Sequence, residues 1–218
     1  MVIEYFNEDC MEGMKRYKDK HFDLAIVDPP YGIGADKAQN NGGEKWGYKK
    51  YKDTDWDTSI PEKGYWDELF RISKNQIVWG GNYMTEFLPP RMGWIVWDKG
   101  QRDFSLADGE LAWTSFNKAL RIFEMSRGEM LAKNNKEGGR FHPTQKPVKL
   151  YKWLLHNYAN PGDLILDTHV GSASSLIACH LLGFDAVGFE LDEGYYKESK
   201  ERLERVMNQC LLFEEVQT

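Results

Sequence analysis

The stretch Asp163-Leu164-Ile165-Leu166-Asp167-Thr168-His169-Val170-Gly171-Ser172-Ala173-Ser174 joins a short apolar run, a turn of small residues and the first position of a helical pattern. A strand, a tight turn and a helix in that order predict a parallel α/β unit. Small residues let a ligand approach the backbone, and the helix start that follows offers unpaired N–H groups. The turn has no Gly-Lys-Ser/Thr, and Ala173 stands where a nucleotide fingerprint has its second glycine, so it is not a phosphate cradle. The next apolar strand, Ala186 to Phe189, ends in Glu190, roughly twenty residues on, where dinucleotide-type folds place the carboxylate that grips a ribose. Together these residues describe an adenosine site. The bland alternative makes Asp167 a helix cap and Glu190 a solvated strand end.

Working outward, further short β-branched runs lie at Ile3 to Phe6, Leu24 to Val27, Gln76 to Trp79, Trp94 to Trp97 and Leu111 to Phe116. Helical patterns cover Cys10 to Tyr17, Glu62 to Lys74, Val148 to Tyr158, Ser174 to Leu182 and Glu193 to Asn208, the last opened by Asp192 as N-cap. The alternation predicts an α/β fold: a Rossmann-like, open, twisted and mostly parallel sheet with helices on both faces. The length of 218 residues fits a single domain. Residues 32–59 and 127–140 lack either periodicity and read as loops.

Directly after the strand Leu24 to Val27 comes Asp28-Pro29-Pro30-Tyr31-Gly32, at the strand end where open α/β sheets bind ligands. The prolines fix the backbone and leave rigid carbonyl acceptors, Asp28 adds a carboxylate and Tyr31 an aromatic face. That set suits an amino group on a flat ring: Asp28 and the Pro29 carbonyl can hold its two N–H groups while Tyr31 stacks on the ring. Otherwise the motif is a stiff turn.

Hydrophobic residues make up 41% of the chain and charged residues 28%, which is ordinary globular composition without a membrane-spanning run. Met1 to Asn7 carries no secretory pattern, and Cys10, Cys179 and Cys210 show neither disulfide nor metal-ligand spacing, so a cytoplasmic protein without metal is expected. The net charge of −6 is unevenly spread: Lys37, Lys45, Lys49, Lys50 and Lys52 cluster in the first loop, and Arg127 to Lys152 form a second basic stretch. Local charge of this kind allows a nucleic-acid partner despite the acidic total.

The ordered set Asp28-Pro-Pro-Tyr31, His142-Pro-Thr-Gln-Lys-Pro147 and Asp167 to Ser174 resembles the beta-group amino-methyltransferases of DNA, over nearly the whole chain from Asn7 to Arg205. The resemblance implies a class I methyltransferase fold in circularly permuted order, with a catalytic half at about 1–126, a short recognition-like loop at about 127–141 and a cofactor half at about 142–218. It implies S-adenosylmethionine as cofactor and methyl transfer to the exocyclic amine of a flipped base. Asp28, Pro29, Pro30 and Tyr31 would form the catalytic turn. Asp9, Asp28, Thr144, Lys146, Asp167, Gly171, Ser172 and Glu190 would hold the cofactor, Asp9 at its adenine and Glu190 at its ribose. Lys49, Lys50, Asn82 and Trp97 are candidate substrate contacts.

Adenine N6 is the expected target, with cytosine N4 as alternative, because Asp-Pro-Pro-Tyr accompanies adenine enzymes of this group more often. Double-stranded DNA is the expected partner, with RNA as alternative and a homodimer allowed, in a bacterial or phage-infected cell. A non-catalytic nucleic-acid binder with a decayed cofactor site is the competing class. Two departures from the family pattern are His169, in place of an aromatic residue and expected to be a packing group, and Ala173, which fits its turn if its φ is negative.

Overall fold

A computed structural model describes residues 1–34, 57–102, 107–126, 128–130 and 144–215, with side chains to residue 209. Eight strands form one sheet: β1 (Ile3–Asn7), β2 (Phe22–Val27), β3 (Ser73–Trp79), β4 (Trp94–Asp98), β5 (Gly109–Thr114), β6 (Arg121–Glu124), β7 (Leu164–Asp167) and β8 (Asp185–Glu190). Their order is β1-β8-β7-β2-β3-β5-β4-β6. Every neighbouring pair is parallel except the two made by β5. The helices are α1 (Cys10–Met14), α2 (Lys63–Ile72), α3 (Val148–Tyr158), α4 (Ser174–Leu182) and α5 (Glu193–Glu215).

Period-two alternation assigns the faces. Leu24 and Ile26 of β2 join a core with Leu150 and Leu154 of α3, Leu176 and Ile177 of α4 and Leu203 of α5. Ala25 and Val27 point the other way, into a core with Met14 of α1 and Trp66, Leu69 and Ile72 of α2. Helices therefore cover both faces, which is why the central strands read as continuous apolar runs.

From β7 the chain proceeds through α4 to β8 on one side, and from β2 through α2 to β3 on the other. The crevice between the carboxyl ends of β7 and β2 is thus a topological switch point, where such sheets bind ligands. β1 lies beside β8 with Ile3 opposite Ala186 and Asn7 opposite Glu190.

Several boundaries differ from the sequence expectation. α2 ends at Ile72, because Ser73 pairs with Phe22 in the sheet and its hydroxyl caps the Leu69 carbonyl at 2.5 Å. α1 stops at Met14 and continues only as the turn bonds from Arg16 N to Gly13 O and Tyr17 N to Met14 O. α5 runs on to Glu215 rather than ending at Asn208, and its expected cap is present, Asp192 Oδ1 accepting from Tyr195 N at 2.8 Å. β5 begins at Gly109 and ends at Thr114. β6 was not expected: Arg121 and Ile122 are exposed edge residues, and in only four positions no periodicity can register.

Among the described residues, no helix is long and apolar enough to cross a membrane. Residues 35–56, with Lys49 and Lys50, and most of the stretch 127–143 lie outside the described residues.

Candidate active site

Two cavities open at the switch point. The larger, of about 700 Å³, is lined by Asp9, Asp28, Pro30, Thr144, Lys146, Gly171, Ser172 and Glu190, among others. The smaller, of about 310 Å³, is lined by Asp28, Pro29, Tyr31, Asn82, Tyr83, Lys99, Glu110 and Thr144, among others. Asp28 and Thr144 belong to both walls, so the two cavities meet there.

The charged groups of the larger wall are mostly acidic: Glu8, Asp9, Asp28, Glu190, Asp192 and Glu193 face it and, among the described residues, Lys146 supplies its one ammonium. Such a wall repels phosphate and favours a cationic ligand. Glu190 is held rigidly, Oε2 accepting from Gly171 N at 2.8 Å and Oε1 from Asp192 N at 2.9 Å. Burial raises its carboxyl above the usual range, and these two N–H groups oppose that shift. Asp9 uses Oδ1 to cap α1 through Met11 N at 2.7 Å.

The turn at the end of β2 is fixed from three directions. Asp57 Oδ1 accepts from the backbone N–H groups of Tyr31 at 2.7 Å and Gly32 at 2.9 Å. The Tyr31 hydroxyl donates to Asp28 Oδ1 at 2.6 Å. Its ring lies against Gly80, where an added Cβ would come within 2.2 Å of it, and Tyr83 stacks on it at 5.2 Å and 18°.

Behind Asp28 runs a chain of charges. Lys146 Nζ sits 2.5 Å from Asp28 Oδ2 and 3.3 Å from Glu110 Oε2, and Lys99 Nζ lies 2.6 Å from Glu110 Oε1. Burial opposes the charge of Lys146, but the two carboxylates outweigh it and raise its ammonium above the ordinary lysine range. Glu110 is held below the usual carboxylate range: burial would raise it, and Lys146 with Lys99 outweighs that.

Compared with known proteins, residues 78–201 match the N6/N4 DNA methylases. The chain belongs to that family. It is 24% identical over 92% of its length to the type II methyltransferase M.HpaI of Haemophilus parainfluenzae, covering 74% of that protein. With the putative methylase YubD of Escherichia coli it shares 25% over 94% of its length, covering 92% of that protein. Among solved structures, the M1.HpyAVI complex with SAM superposes with a TM-score of 0.59 at 18% identity, over 92% of this chain and 100% of that one. The cytosine-N4-specific PvuII DNA methyltransferase gives 0.61 at 14%, over 95% and 91%. At those identities the likeness is one of fold, the class I methyltransferase fold.

In this DNA methylase the structure gathers most of the residues singled out in the sequence onto the two cavity walls, with four differences. Trp97 is a core residue, 2% exposed, its indole N–H donating to Met125 O at 3.1 Å, and it lines neither cavity. Asp167 is buried beneath the turn 168–173 and lines neither cavity, accepting from His169 N at 3.0 Å and Ser175 Oγ at 2.5 Å. Burial pushes its carboxyl up to about 7. Ala173 has φ +59°, the left-handed conformation, not the negative φ under which alanine would fit freely. Lys146 does reach the larger cavity, but its charge is committed to Asp28 and Glu110.

His169 packs edge-on against Tyr65 at 5.5 Å, Nδ1 meeting Thr168 Oγ1 at 2.9 Å, and burial pushes its imidazole down to about 4, which favours the neutral ring; it also lines the larger cavity. Sequence reasoning missed Glu110, Lys99 and Asp57. An acid within a strand and an acid at a loop end look solvated until the fold supplies their partners.

Proposed function

We propose that the chain transfers a methyl group from S-adenosylmethionine to the exocyclic amino group of a flipped base in double-stranded DNA, adenine N6 being the target. The observation that carries this reading is that the two cavities meet at Asp28, the carboxylate of the Asp-Pro-Pro-Tyr turn. The acidic wall fits a cofactor that carries a sulfonium and an ammonium but no phosphate, and its volume of about 700 Å³ suits a small-molecule site.

S-adenosylmethionine supplies an already activated methyl group, so the chain's task is positioning. Glu190 accepts from the ribose hydroxyls, Asp9 from the adenine amine, and Gly171 and Ser172 form the floor. In the smaller cavity Asp28 and the Pro29 carbonyl accept the N–H groups of the target amine, turning its lone pair toward the methyl carbon. Asp28 also lies where the proton shed by the methylated nitrogen can be taken up. Tyr83, 45% exposed, holds the stacking position on Tyr31 that an entering base would take. The target atom is inside the duplex, so the nucleotide must flip. Lys49 and Lys50 of the basic loop, with Asn82 at the cavity wall, are proposed to hold the strand. Adenine is favoured over cytosine by the Asp-Pro-Pro-Tyr motif.

The test is to incubate the protein with unmethylated DNA and S-adenosylmethionine, digest to nucleosides and identify products by mass spectrometry, with Asp28→Ala as control. N6-methyladenine that disappears in the variant is the expected result. N4-methylcytosine would overturn the target, and no product on DNA or RNA would overturn the enzyme reading in favour of a binder.

A further inference from the structure

The cofactor turn contains an alanine in a conformation that alanine resists. Among the described residues, Ala173 and Lys20 are the non-glycine residues with positive φ. Lys20 lies on the surface, whereas Ala173 is fully buried at the start of α4. A Cβ disfavours left-handed backbone by roughly tenfold in population relative to glycine. Relaxing to negative φ would rotate the peptide joining Ser172 to Ala173, and Ser172 is part of the cavity wall.

Arg202 brackets this residue. It stands on α5, 2% exposed, and NH1 donates to Ser172 O at 2.7 Å and to Ser174 Oγ at 2.9 Å, the neighbours on either side of Ala173. The two serine hydroxyls also lie 3.0 Å apart, while Ala173 N bonds to Val170 O and Ile177 N bonds to Ala173 O. Charge-assisted bonds from a buried guanidinium are strong, and both end on atoms that would move if φ of Ala173 changed sign.

We infer that Arg202 is a positioning residue for the cofactor site, holding the turn in the left-handed shape that a glycine at position 173 would adopt unaided. The inference rests on the larger cavity being the S-adenosylmethionine site. It requires Arg202 and Ala173 to be energetically coupled, with Arg202 needed because Ala173 is not glycine.

Calorimetric titration of the full chain with S-adenosylmethionine tests this in a double-mutant cycle. Arg202→Met is expected to weaken binding by about tenfold in the Ala173 background. In an Ala173→Gly background the same change should cost no more than about twofold. Equal losses in both backgrounds overturn the inference. If Arg202→Met does not fold, Ser174→Ala, which removes one of the two acceptors, carries the same comparison: a loss with Ala173 that vanishes with Ala173→Gly supports the coupling, and equal losses overturn it. Failure of the unaltered chain to bind S-adenosylmethionine would instead remove the cofactor reading itself, a separate outcome from equal losses in a chain that binds.

Discussion

Lys146 Nζ lies 2.5 Å from Asp28 Oδ2, an ion pair that joins residues 118 positions apart and ties the approach to α3 to the end of β2. Its lysine is 3% exposed and also serves Glu110. Removing it would leave the Asp28 carboxylate without its cation and Glu110 with Lys99 alone. Lys146→Met is therefore expected to cost about 3 kcal/mol in urea unfolding. Adding Glu110→Gln should return about 1 kcal/mol of that loss, because one of the two carboxylates that lost Lys146 is gone. Strict additivity of the two changes would show that the pair is not coupled.

Asp167 gives a pH signature with a definite sign. Its carboxyl titrates near 7 in the fold, above its unfolded value near 3.8, because burial penalises the charge. The stability it contributes is complete below the unfolded value and is lost as pH rises through 7. His169 acts oppositely lower down, the fold losing stability as pH falls from 6.5 toward 4. Comparing thermal midpoints of Asp167→Asn and the unaltered chain cancels the histidine: the variant's relative stability should climb from pH 5 to pH 7 and then level off. A flat difference would mean that Asp167 is ionised throughout.

Asp57 holds the Asp-Pro-Pro-Tyr turn through two backbone N–H groups and also stands on the wall of the smaller cavity. Asp57→Ala strands the Tyr31 and Gly32 N–H groups and should cost about 1–3 kcal/mol in stability. The loosened turn should slow methyl transfer by roughly ten- to hundredfold. Asp57→Asn, which keeps an acceptor oxygen, should be much milder, and equal effects of the two substitutions would argue against this role.

Trp97→Phe removes the indole bond to Met125 O and should lower stability by about 1 kcal/mol. Because Trp97 lines neither cavity, KM for DNA should not change. A several-fold rise in KM would put Trp97 back among the substrate contacts.

The sequence was most legible where one residue type at one place has a narrow set of uses. Asp28-Pro29-Pro30-Tyr31 at a strand end and Glu190 at the end of the next cofactor strand could be placed from local pattern, and both stand on cavity walls. Elements with a full apolar stripe, such as α3 and α4, had their ends where periodicity put them. What could not be read was long-range pairing. Glu110 and Lys99 are unremarkable until β5 and β4 are laid side by side, and Trp97 looks equally like a stacking surface and a core residue until its neighbours are known. The sign of φ at Ala173 was equally hidden, since a Gly-Ser-Ala-Ser turn permits either hand and the choice is made by bonds from α5.

The adjacency of β1 and β8 bears on how the larger cavity is closed. β1 has β8 as its partner in the sheet, and the bond from Val2 N to Asp185 Oδ1 spans 183 positions. Asp9, just after β1, and Glu190, at the end of β8, face the same cavity. Until Asp185–Glu190 is in place, β1 has no strand to pair with and the larger cavity lacks the wall that Glu190 supplies. Closing that wall therefore depends on a pairing of high sequence separation, the kind of contact that forms slowly.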